Sequence, residues 1–385
     1  MTKPGYRMTE IGEIPKNWNV KSLDNMIEIL DLKRVPLSET ERANKKGTIP
    51  YCGANGIIDY IDDYIFDEEA VLIAEDGGNY GKFQNKAYIM TGKYWVNNHA
   101  HIFRGRSELL ENKFIMQWLN FSDISPYVSG STRTKLNQEM LKRILVPTPS
   151  LQEQKKITEI LSTADETIQK VNEEITLTEK LKKGLMQTLL TKGIGHTKFK
   201  MTEIGEIPEE WGAKELKEIA NIEYGKANPK SSGKIPIVGS SGIFGYTSKS
   251  LIETPTIVIG RKGTAGGLIY MDAPCWPSDT TFYLKYKIYV IQKYLFEYMS
   301  LHRLSGNKAK TTLPSIQRSE LESYKLAIPP FPEQQKIAEI LSTVDQKLEL
   351  LRNKKTHLGE LKKGMMEDLL TGRVRVKIAT SKGEN

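Results

Sequence analysis

The residues of this chain best suited to contact a nucleic acid lie in two glycine-flanked turns and two polar clusters. Such turns bring backbone N–H groups and short polar side chains close to a phosphate or a base edge. Asn79 could read adenine and Arg261 could read guanine, while a solvated loop position is the alternative for any single residue. The candidates are Gly77, Gly78, Asn79, Tyr80, Arg133, Lys135 and Asn137 in the first half of the chain, and Arg261, Lys262, Gly263, Thr264, Lys308, Lys310 and Thr311 in the second.

Catalytic motifs are absent from the sequence. No P-loop, HExxH, GxSxG or dinucleotide-binding glycine motif occurs. The segment Ile328-Pro329-Pro330-Phe331 is similar to the motif of amino-methyltransferases, but Ile328 cannot hydrogen-bond the amino group of a base, and we interpret the segment as a linker. We therefore expect no catalytic residue and no cofactor on this chain.

His99 and His101 are the one candidate pair of metal ligands. Two residues apart, they would face the same side of a strand. No third ligand is evident, although a zinc site needs at least three protein ligands. We expect structural histidines or DNA-facing donors, and no metal site.

The composition favours a cytoplasmic protein with a polyanionic partner. Of the 385 residues, 39% are hydrophobic, the net charge is +8, and Cys52 and Cys275 are the only cysteines. No apolar run approaches the roughly 18 residues of a membrane span, so we expect no membrane contact. Residues 221–330 carry 14 Lys or Arg against 7 Asp or Glu, whereas residues 41–150 carry 13 of each, so the halves should meet a polyanion differently.

The chain contains an internal repeat. MTEIGEIPKNW at Met8 recurs with nine of eleven identities at Met201, and EQKKITEILSTAD at Glu153 recurs with ten of thirteen at Glu333. We expect Met8, Met201, Trp18 and Trp211 to dock the first segment of each copy. Between the similar blocks the copies diverge, as in LIAEDGGNYG from Leu72 against VIGRKGTAGG from Val258. A similar scaffold with different surface chemistry predicts two modules that read different things.

A long helix is predicted at the end of each copy. Apolar residues recur there at spacings of three and four, which is typical of a coiled-coil seam. A helix of about 39 residues is roughly 58 Å long. Ser150 with Glu153 predicts a capping box, Pro332 suits a first turn, Gly193 and Gly372 suit helix ends, and Gly184 and Gly364 suggest a close crossing or a bend. The seam residues are Leu161, Ala164, Ile168, Val171, Ile175, Leu341, Val344, Leu348 and Leu351; Lys355 interrupts the second seam.

The remaining segments predict mixed α/β (α+β) globular domains in tandem, each followed by one long α-helix. The two helices should pair as an antiparallel coiled coil with internal pseudo-two-fold symmetry, and two helices that pack separately on their own domains are the alternative. Short strands are predicted at Ala70–Ala74, Thr256–Ile259 and Thr281–Leu284, and short helices at Lys113–Asn120 and Val290–Ser300. The predicted divisions are 1–150 (first domain), 151–192 (helix), 193–330 (second domain), 331–372 (helix) and 373–385 (basic tail).

The order of two domains, each followed by a long helix, resembles that of the specificity subunits of type I restriction–modification enzymes. The resemblance extends to the IPxxW segments, the helix starts PSLQEQ and PPFPEQQ, and the motifs NNHAHIF at Asn97 and CWPSDTTFYL at Cys275. The resemblance implies that each globular domain is a target recognition domain for half of an interrupted double-stranded DNA site, and that the helices set the spacing. It also implies two modification subunits, which bring S-adenosylmethionine and methylate adenine, and a nuclease-translocase subunit that uses ATP and Mg²⁺.

Two other functions remain open from the sequence. The chain could be the recognition part of a fused restriction–methylation enzyme, although two repeated units leave no room for a catalytic domain. It could also be a scaffold whose helices bind proteins while the domains no longer read DNA.

Overall fold

A computed structural model describes residues 3–130, 134–302, 304 and 315–378. The chain divides into two compact units, Met1–Asn172 with Lys354–Asn385, and Glu173–Asn353. The divisions fall inside two long helices, α4 (Leu151–Leu189) and α8 (Phe331–Leu370). Each unit therefore holds one globular domain, the first part of its own helix and the last part of the other helix. The predicted order of two mixed α/β domains, each followed by a long helix, is confirmed.

The first domain is built on a four-stranded antiparallel sheet, ordered β4-β11-β8-β9, against which helix α2 packs, and a second sheet ordered β6-β5-β10-β7. Its elements are β1 Tyr6–Thr9, β2 Gly12–Pro15, β3 Asn19–Ser22, β4 Ile27–Ile29, α1 Glu39–Asn44, β5 Lys46–Gly53, β6 Gly56–Ile61, β7 Phe66–Asp67, β8 Ala70–Ala74, β9 Ala87–Met90, β10 Lys93–Val96, β11 Ala100–Gly105, α2 Asn112–Phe121, α3 Gln138–Arg143 and β12 Leu145–Thr148, with 3₁₀ turns at Leu23–Asn25, Asp31–Lys33 and Ser125–Tyr127.

The second domain repeats this architecture with a sheet ordered β16-β22-β19-β20 and a smaller sheet ordered β18-β17-β21. The predicted strands and helices all occur, most of them one or two residues longer than expected. Its elements are β13 Phe199–Thr202, β14 Gly205–Pro208, β15 Gly212–Glu215, α5 Leu216–Ile219, β16 Ala220–Tyr224, β17 Ile235–Gly239, β18 Gly242–Thr247, β19 Thr256–Gly260, β20 Leu268–Met271, β21 Trp276–Pro277, β22 Thr281–Tyr286, α6 Gln292–Leu301, α7 Arg318–Glu322 and β23 Lys325–Ile328.

The hydrophobic core of each unit is closed by parts of both long helices. In the first unit, Trp18 of the globular domain and Leu161 of α4 share one core with Leu370 at the end of α8. In the second unit, Trp211 and Leu341 of α8 share a core with Leu190, just after α4. Because burial of large apolar side chains is the main stabilising term in folding, each domain depends on the end of a helix that begins in the other copy of the repeat.

A glutamate near the start of each helix, buried in the first unit and half-buried in the second, organises these contacts. Glu153, with 3% of its side chain exposed, accepts hydrogen bonds from Trp18 Nε1 at 3.0 Å and Arg375 Nε at 2.7 Å. Glu333 accepts them from Trp211 Nε1 at 2.9 Å, His196 Nε2 at 2.9 Å and the backbone N–H of Ile194 at 2.8 Å.

Two predictions from the sequence concern residues at or near these glutamates. The docking role of Trp18 and Trp211 is confirmed, but Met8 and Met201 are 67% and 78% exposed and do not dock. The capping box at Ser150 forms only by half: Ser150 Oγ accepts from the N–H of Glu153 at 3.3 Å, while the carboxylate is engaged by Trp18 and Arg375 instead.

The two long helices pair antiparallel, as expected, and matched ion pairs fix the register in each unit. In the first unit Lys362 of α8 contacts Asp165 of α4 at 2.6 Å. In the second unit Lys182 of α4 contacts Asp345 of α8 at 2.5 Å. The lysines come from the same position of the repeat, and so do the aspartates, so one set of residues specifies both contacts.

The predicted seam residues are all buried or half-buried, and Lys355 is exposed. Leu161 and Leu341, however, also lie in the domain cores, so the first turns of each helix serve its own domain as well as the helix pair. Gly184 and Gly364 do not mark a close crossing: a Cβ at either position would meet nothing within 4 Å. Gly193 and Gly372 follow the helices with φ of +67° and +69°, a conformation that favours glycine.

We predict that Arg375→Ala lowers the free energy of unfolding of the first unit by about 1–3 kcal/mol, because it leaves the buried Glu153 carboxylate without a charged donor. Thermal and urea unfolding would measure this. Arg373→Ala is the matched control: its guanidinium lies 3.6 Å from Glu367 and is 59% exposed, so its removal should cost less than about 0.5 kcal/mol. Equal losses from both variants would contradict the assigned role of Arg375.

Candidate nucleic-acid interface

The two candidate segments of each domain lie side by side in the structure. Backbone bridges join Asp76 to Lys135 in the first domain and Lys262 to Ser315 in the second. The turn after β8 therefore meets the segment before α3, and the turn after β19 meets the segment before α7. Gly77 and Gly263 have φ of +67° and +77°, which lets the chain reverse at the end of each strand.

Some candidate residues lie outside the described part of the chain. These are Arg133, Lys308, Lys310 and Thr311. Among the others, Gly77, Gly78 and Asn79 occupy the first turn, Gly263 and Thr264 the second, and Lys135 is 54% exposed with its Nζ 3.0 Å from Glu75.

Two candidates have structural roles that a direct contact would disturb. Tyr80 is 4% exposed and donates its hydroxyl to the carbonyl of Ala74 at 3.1 Å, and burial raises its pKa to about 12. Its side chain is buried beneath the turn, so a contact of Tyr80 with a nucleic acid would have to be made through its backbone. Asn137 caps helix α3 by accepting from the N–H of Met140 at 2.8 Å.

A third segment, which the sequence did not indicate, lies beside the two candidate segments. The tight turn between β5 and β6 places Asn55 Nδ2 3.5 Å from the carbonyl oxygen of Gly77. In the second domain the turn between β17 and β18 lies equally close to the turn after β19: a Cβ on Gly260 would lie 3.2 Å from Ser240 Cβ, and a Cβ on Gly267 3.4 Å from the carbonyl oxygen of Ser240. Ser240 corresponds to Ala54 in the repeat, so the two domains bring this turn close through different residues.

The two domains differ most at the two residues that precede the turn glycine. The first domain has Glu75 and Asp76 directly after β8, and the second has Arg261 and Lys262 directly after β19. One scaffold therefore presents acidic groups in the first domain and basic groups in the second.

In the first domain, Glu75 belongs to a buried polar network. Arg34 Nη1 donates to Glu75 at 2.8 Å and to the carbonyl of Ala100 at 2.6 Å. His101 lies between Asp31, at 2.6 Å from Nδ1, and the carbonyl of Leu136, at 2.7 Å from Nε2. This network binds β11, the turn after β8 and the segment before α3 together.

The network lowers the pKa of both carboxyl groups. Burial raises the pKa of Asp31, but the hydrogen bond and charge of His101, the N–H of Ile102 and the charge of Arg34 together hold it below its usual value. Burial likewise raises the pKa of Glu75, and its hydrogen bonds with Arg34 and Lys135 outweigh that effect. Both side chains are therefore carboxylates at neutral pH.

In the second domain, aromatic rings occupy the equivalent layer. The strand pairing puts Phe282 in the place of His101, and Tyr224 in the place of Asp31. The guanidinium of Arg261 lies over both rings, 5.4 Å from the centroid of Tyr224 and 5.9 Å from that of Phe282. Its Nη2 donates to the carbonyl of Asp279 at 2.6 Å, and its Nε has no partner among the described residues.

A cavity of about 440 Å³ opens beside Arg261. It is lined by Tyr224, Arg261, Lys262, Phe282 and residues 315–319, which include Arg318. Cations above aromatic rings form a surface that fits an electron-rich, flat, anionic ligand such as a nucleotide. No comparable basic cluster faces the turn in the described part of the first domain, where Lys135 and Arg34 are paired with Glu75.

Both histidines lie within hydrogen-bonding distance of an aspartate in the described fold. His99 Nδ1 lies 3.0 Å from both carboxylate oxygens of Asp76, and His101 is 2% exposed within its network. Among residues 3–130, 134–302, 304 and 315–378, no group of three His, Cys, Asp or Glu side chains is arranged to hold a metal ion. In the same residues, no helix is both long and apolar enough to cross a membrane.

Comparisons with known proteins identify relatives along the whole chain. Residues 15–179 and 208–360 match the family model described as the type I restriction modification DNA specificity domain. The chain is 29% identical to the putative type I restriction enzyme MjaX specificity subunit of Methanocaldococcus jannaschii, over 97% of each protein. It is 30% identical to the putative specificity subunit S.HindORF215P of Haemophilus influenzae, over 86% of this chain and 88% of that one.

A solved structure supports the fold. The S subunit of a type I restriction-modification system from M. genitalium superposes with a TM-score of 0.67 at 18% identity, over 96% of this chain and 99% of that one. At this identity the likeness concerns the fold alone.

We predict that Asp31→Asn lowers the free energy of unfolding of the first unit by about 3–5 kcal/mol, because it removes one partner of a buried charged network. Since the pKa of Asp31 is lowered by folding, its contribution is present above the unfolded pKa of about 3.9 and is lost as the pH falls through the folded value. The variant should therefore lose part of the acid dependence of stability. Asp24→Asn, at a carboxylate that is 53% exposed, is the control and should change stability by less than about 0.5 kcal/mol.

Proposed function

This chain belongs to the type I restriction–modification DNA specificity family, as a non-catalytic DNA-recognition subunit, and we propose that it reads an asymmetric DNA site in two parts, one under each domain. The observation that carries the proposal is the change from Glu75 and Asp76 to Arg261 and Lys262 on one repeated scaffold. The guanidinium of Arg261 can donate to guanine. Glu75 and Asp76 are engaged by Arg34, Lys135 and His99, which leaves base contacts in the first domain to its turn, so the two domains should prefer different bases.

Recognition by the second domain should centre on Arg261. Its guanidinium is held over two rings and by the carbonyl of Asp279, which restricts its rotamers before a base arrives. A pre-oriented donor loses less conformational entropy on binding than a free one. The adjoining Lys262, Arg318 and the candidate residues Lys308, Lys310 and Thr311 would contact phosphates and set the register.

Recognition by the first domain should use backbone groups and short polar side chains more than cations. Gly77, Gly78 and Asn79 form its turn; Arg34 is held by Glu75, while Lys135 contacts Glu75 at 3.0 Å and keeps 54% of its side chain exposed. Arg133 and Lys135 would then contact phosphates. The balanced charge of residues 41–150 agrees with this division.

The partners follow from the family. We propose that the chain holds two modification subunits, which carry S-adenosylmethionine and methylate adenine, and that a restriction subunit with ATP and Mg²⁺ joins them in the cytoplasm. The cofactors would reside on those subunits, and this chain would supply DNA readout and position. The paired helices would fix the distance between the two readings, in the way that dimeric DNA-binding proteins match the spacing of their half-sites.

The experiment that tests the function is selection of methylated sites. The chain is expressed with the modification subunit of its own system in a host that lacks adenine methylation of other sites, and the methylated positions are sequenced. We expect one interrupted motif with two different halves. A scaffold without readout would give no motif, and methylation by the chain without the modification subunit would indicate a fused enzyme.

We predict that Arg261→Ala relaxes the base preference at one position of one half-site, with a loss of about 1–3 kcal/mol for the preferred base, because a bidentate contact is removed. Lys308→Ala should instead weaken binding to all sequences and lower the salt slope by about one. Both are measured in the assembled complex by DNA binding across salt concentrations. Equal, sequence-independent losses from the two variants would reject this division of roles.

We also predict that one heptad inserted into each helix, after Asn172 in α4 and after Asn353 in α8, lengthens the spacer of the DNA site and leaves both half-sites unchanged. A heptad adds about 10 Å of helix, or up to about three base pairs. The insertion points coincide with the divisions between the compact units, so the contacts within each unit are kept. Altered half-sites with an unchanged spacer would contradict the spacing role.

A further inference from the structure

Both domains expose the same three apolar positions on one hairpin. In the first domain Ile57, Ile58 and Tyr60 of β6 are 45%, 55% and 50% exposed. In the second domain the matched residues of β18 are exposed by 50%, 60% and 59%; they are Ile243, Phe244 and Tyr246. We name these two sets of three residues the hairpin patches. Single exposed apolar residues are ordinary, but a matched set in both copies needs a common cause.

Packing within the hairpin does not explain why these apolar residues recur in both domains, because their side chains are not buried. Part of each patch is nevertheless held in place. Gly53 lies beneath Ile58, where a Cβ would come within 3.2 Å of the isoleucine side chain, and Gly239 lies beneath Phe244, where a Cβ would come within 3.0 Å of the ring. Because the neighbouring strand has a glycine here, the large side chain packs against the backbone of that strand, and its opposite side remains exposed.

Both hairpin patches are apolar, although the residues around them differ between the two domains. Asp59, Asp62 and Asp63 lie beside the first patch in the sequence, and Arg42, Lys45 and Lys46 form ion pairs with Asp59 and Asp63. The residues of the second domain that correspond to the three aspartates are Gly245, Ser248 and Lys249. The neighbouring turns also differ, with opposite charges at Glu75 and Arg261. Whatever contacts both patches must therefore recognise apolar surface and tolerate opposite charge around it.

That requirement selects a protein over DNA as the occupant. Charge dominates affinity for DNA, but the carboxylates beside the first patch are balanced by Arg42, Lys45 and Lys46, and the second patch has Lys249, so no excess of positive charge is common to both patches. An apolar surface between half-exposed aliphatic and aromatic side chains is the usual centre of a protein–protein contact. The same contact twice on one chain fits two copies of one partner.

We propose that each hairpin patch docks one modification subunit, through an apolar surface on that subunit, so that the two domains capture identical partners with identical patches while the adjacent turns read different DNA. This inference rests on the proposed function, because it assigns a surface to the partner named there. It places the partner contact beside the readout turn: Asn55, in the turn of the same hairpin, lies 3.5 Å from Gly77. A docked subunit would thereby be positioned next to the half-site that its domain reads.

The test measures the stoichiometry and affinity of modification subunits for full-length variants by native mass spectrometry and titration calorimetry. The paired substitution Ile58→Ser with Tyr60→Ser alters the first patch, and Phe244→Ser with Tyr246→Ser alters the second. The wild-type chain should bind two modification subunits. Each paired variant should bind one as before and the other at least about 30-fold more weakly, and the fourfold variant should lose affinity for both.

Controls separate docking from folding. Ile58→Leu with Tyr60→Phe keeps an apolar surface and should bind like the wild type, and unfolding curves should match for all variants. Met8→Ser and Met201→Ser alter another exposed apolar pair that is also repeated, and should leave affinity unchanged. An equal loss in these methionine variants, or a serine variant that fails to fold while the conservative variant binds no better than it, would overturn the proposal.

The remaining outcomes distinguish the patch from the proposed function. A wild-type chain that binds no modification subunit rejects the proposed function itself. A wild-type chain that binds two, with serine variants that also bind two at full affinity, rejects only the patch. Serine variants that keep both subunits but bind DNA at least tenfold more weakly would identify the hairpins as DNA contacts and overturn the protein assignment.

Discussion

The hydrogen bond between a glutamate on the first turn of each long helix and a tryptophan indole is the contact on which the rest of this molecule depends. Glu153 and Glu333 each lie on the first turn of a long helix, and each accepts from the tryptophan that ends an IPxxW segment. A buried carboxylate is tolerated only when it is paired, and the remaining donors come from beyond the end of the other helix: Arg375 in the first unit, His196 and Ile194 in the second. Domain, own helix and partner helix therefore meet at one charged group.

This arrangement explains why the repeat is so well preserved in some blocks and so divergent in others. The glutamate, the tryptophan and the Asp165 and Lys182 positions of the ion pairs recur because each forms the same contact in both units. The residues before the turn glycine take no part in these contacts: Glu75 bonds to Arg34, and Arg261 to the carbonyl of Asp279. A repeat can change its readout there without any change in the contacts that hold the helices.

The sequence predicted the parts of the fold that have local signals. The long helices follow from spacing, their first turns from Ser150 and Pro332, and the strands from β-branched runs between glycines. Apart from the pairing of the two helices and the docking of the two tryptophans, which the repeat indicated, contacts between distant segments were not predictable. Nothing near Tyr80 shows that it lies under its turn, and nothing near Glu153 shows that its carboxylate is engaged by Arg375 instead of completing a capping box. The network of Asp31, Arg34 and His101 joins three segments that are far apart in the chain, so no spacing reveals it.

The side chains packed beneath each turn limit which changes in base preference a domain can accommodate. Replacing Glu75 by arginine in the first domain would put a third cation beside Arg34 and Lys135 and leave His101 and Asp31 with a different charge balance, at the cost of several kcal/mol that unpaired buried charges carry. The second domain accommodates Arg261 because Tyr224 and Phe282 stand where Asp31 and His101 stand in the first. The turn and its supporting layer must therefore change together. A new base preference in such a domain arises from a matched set of residues on β4, β8 and β11, or on β16, β19 and β22, and not from the exposed side chain alone.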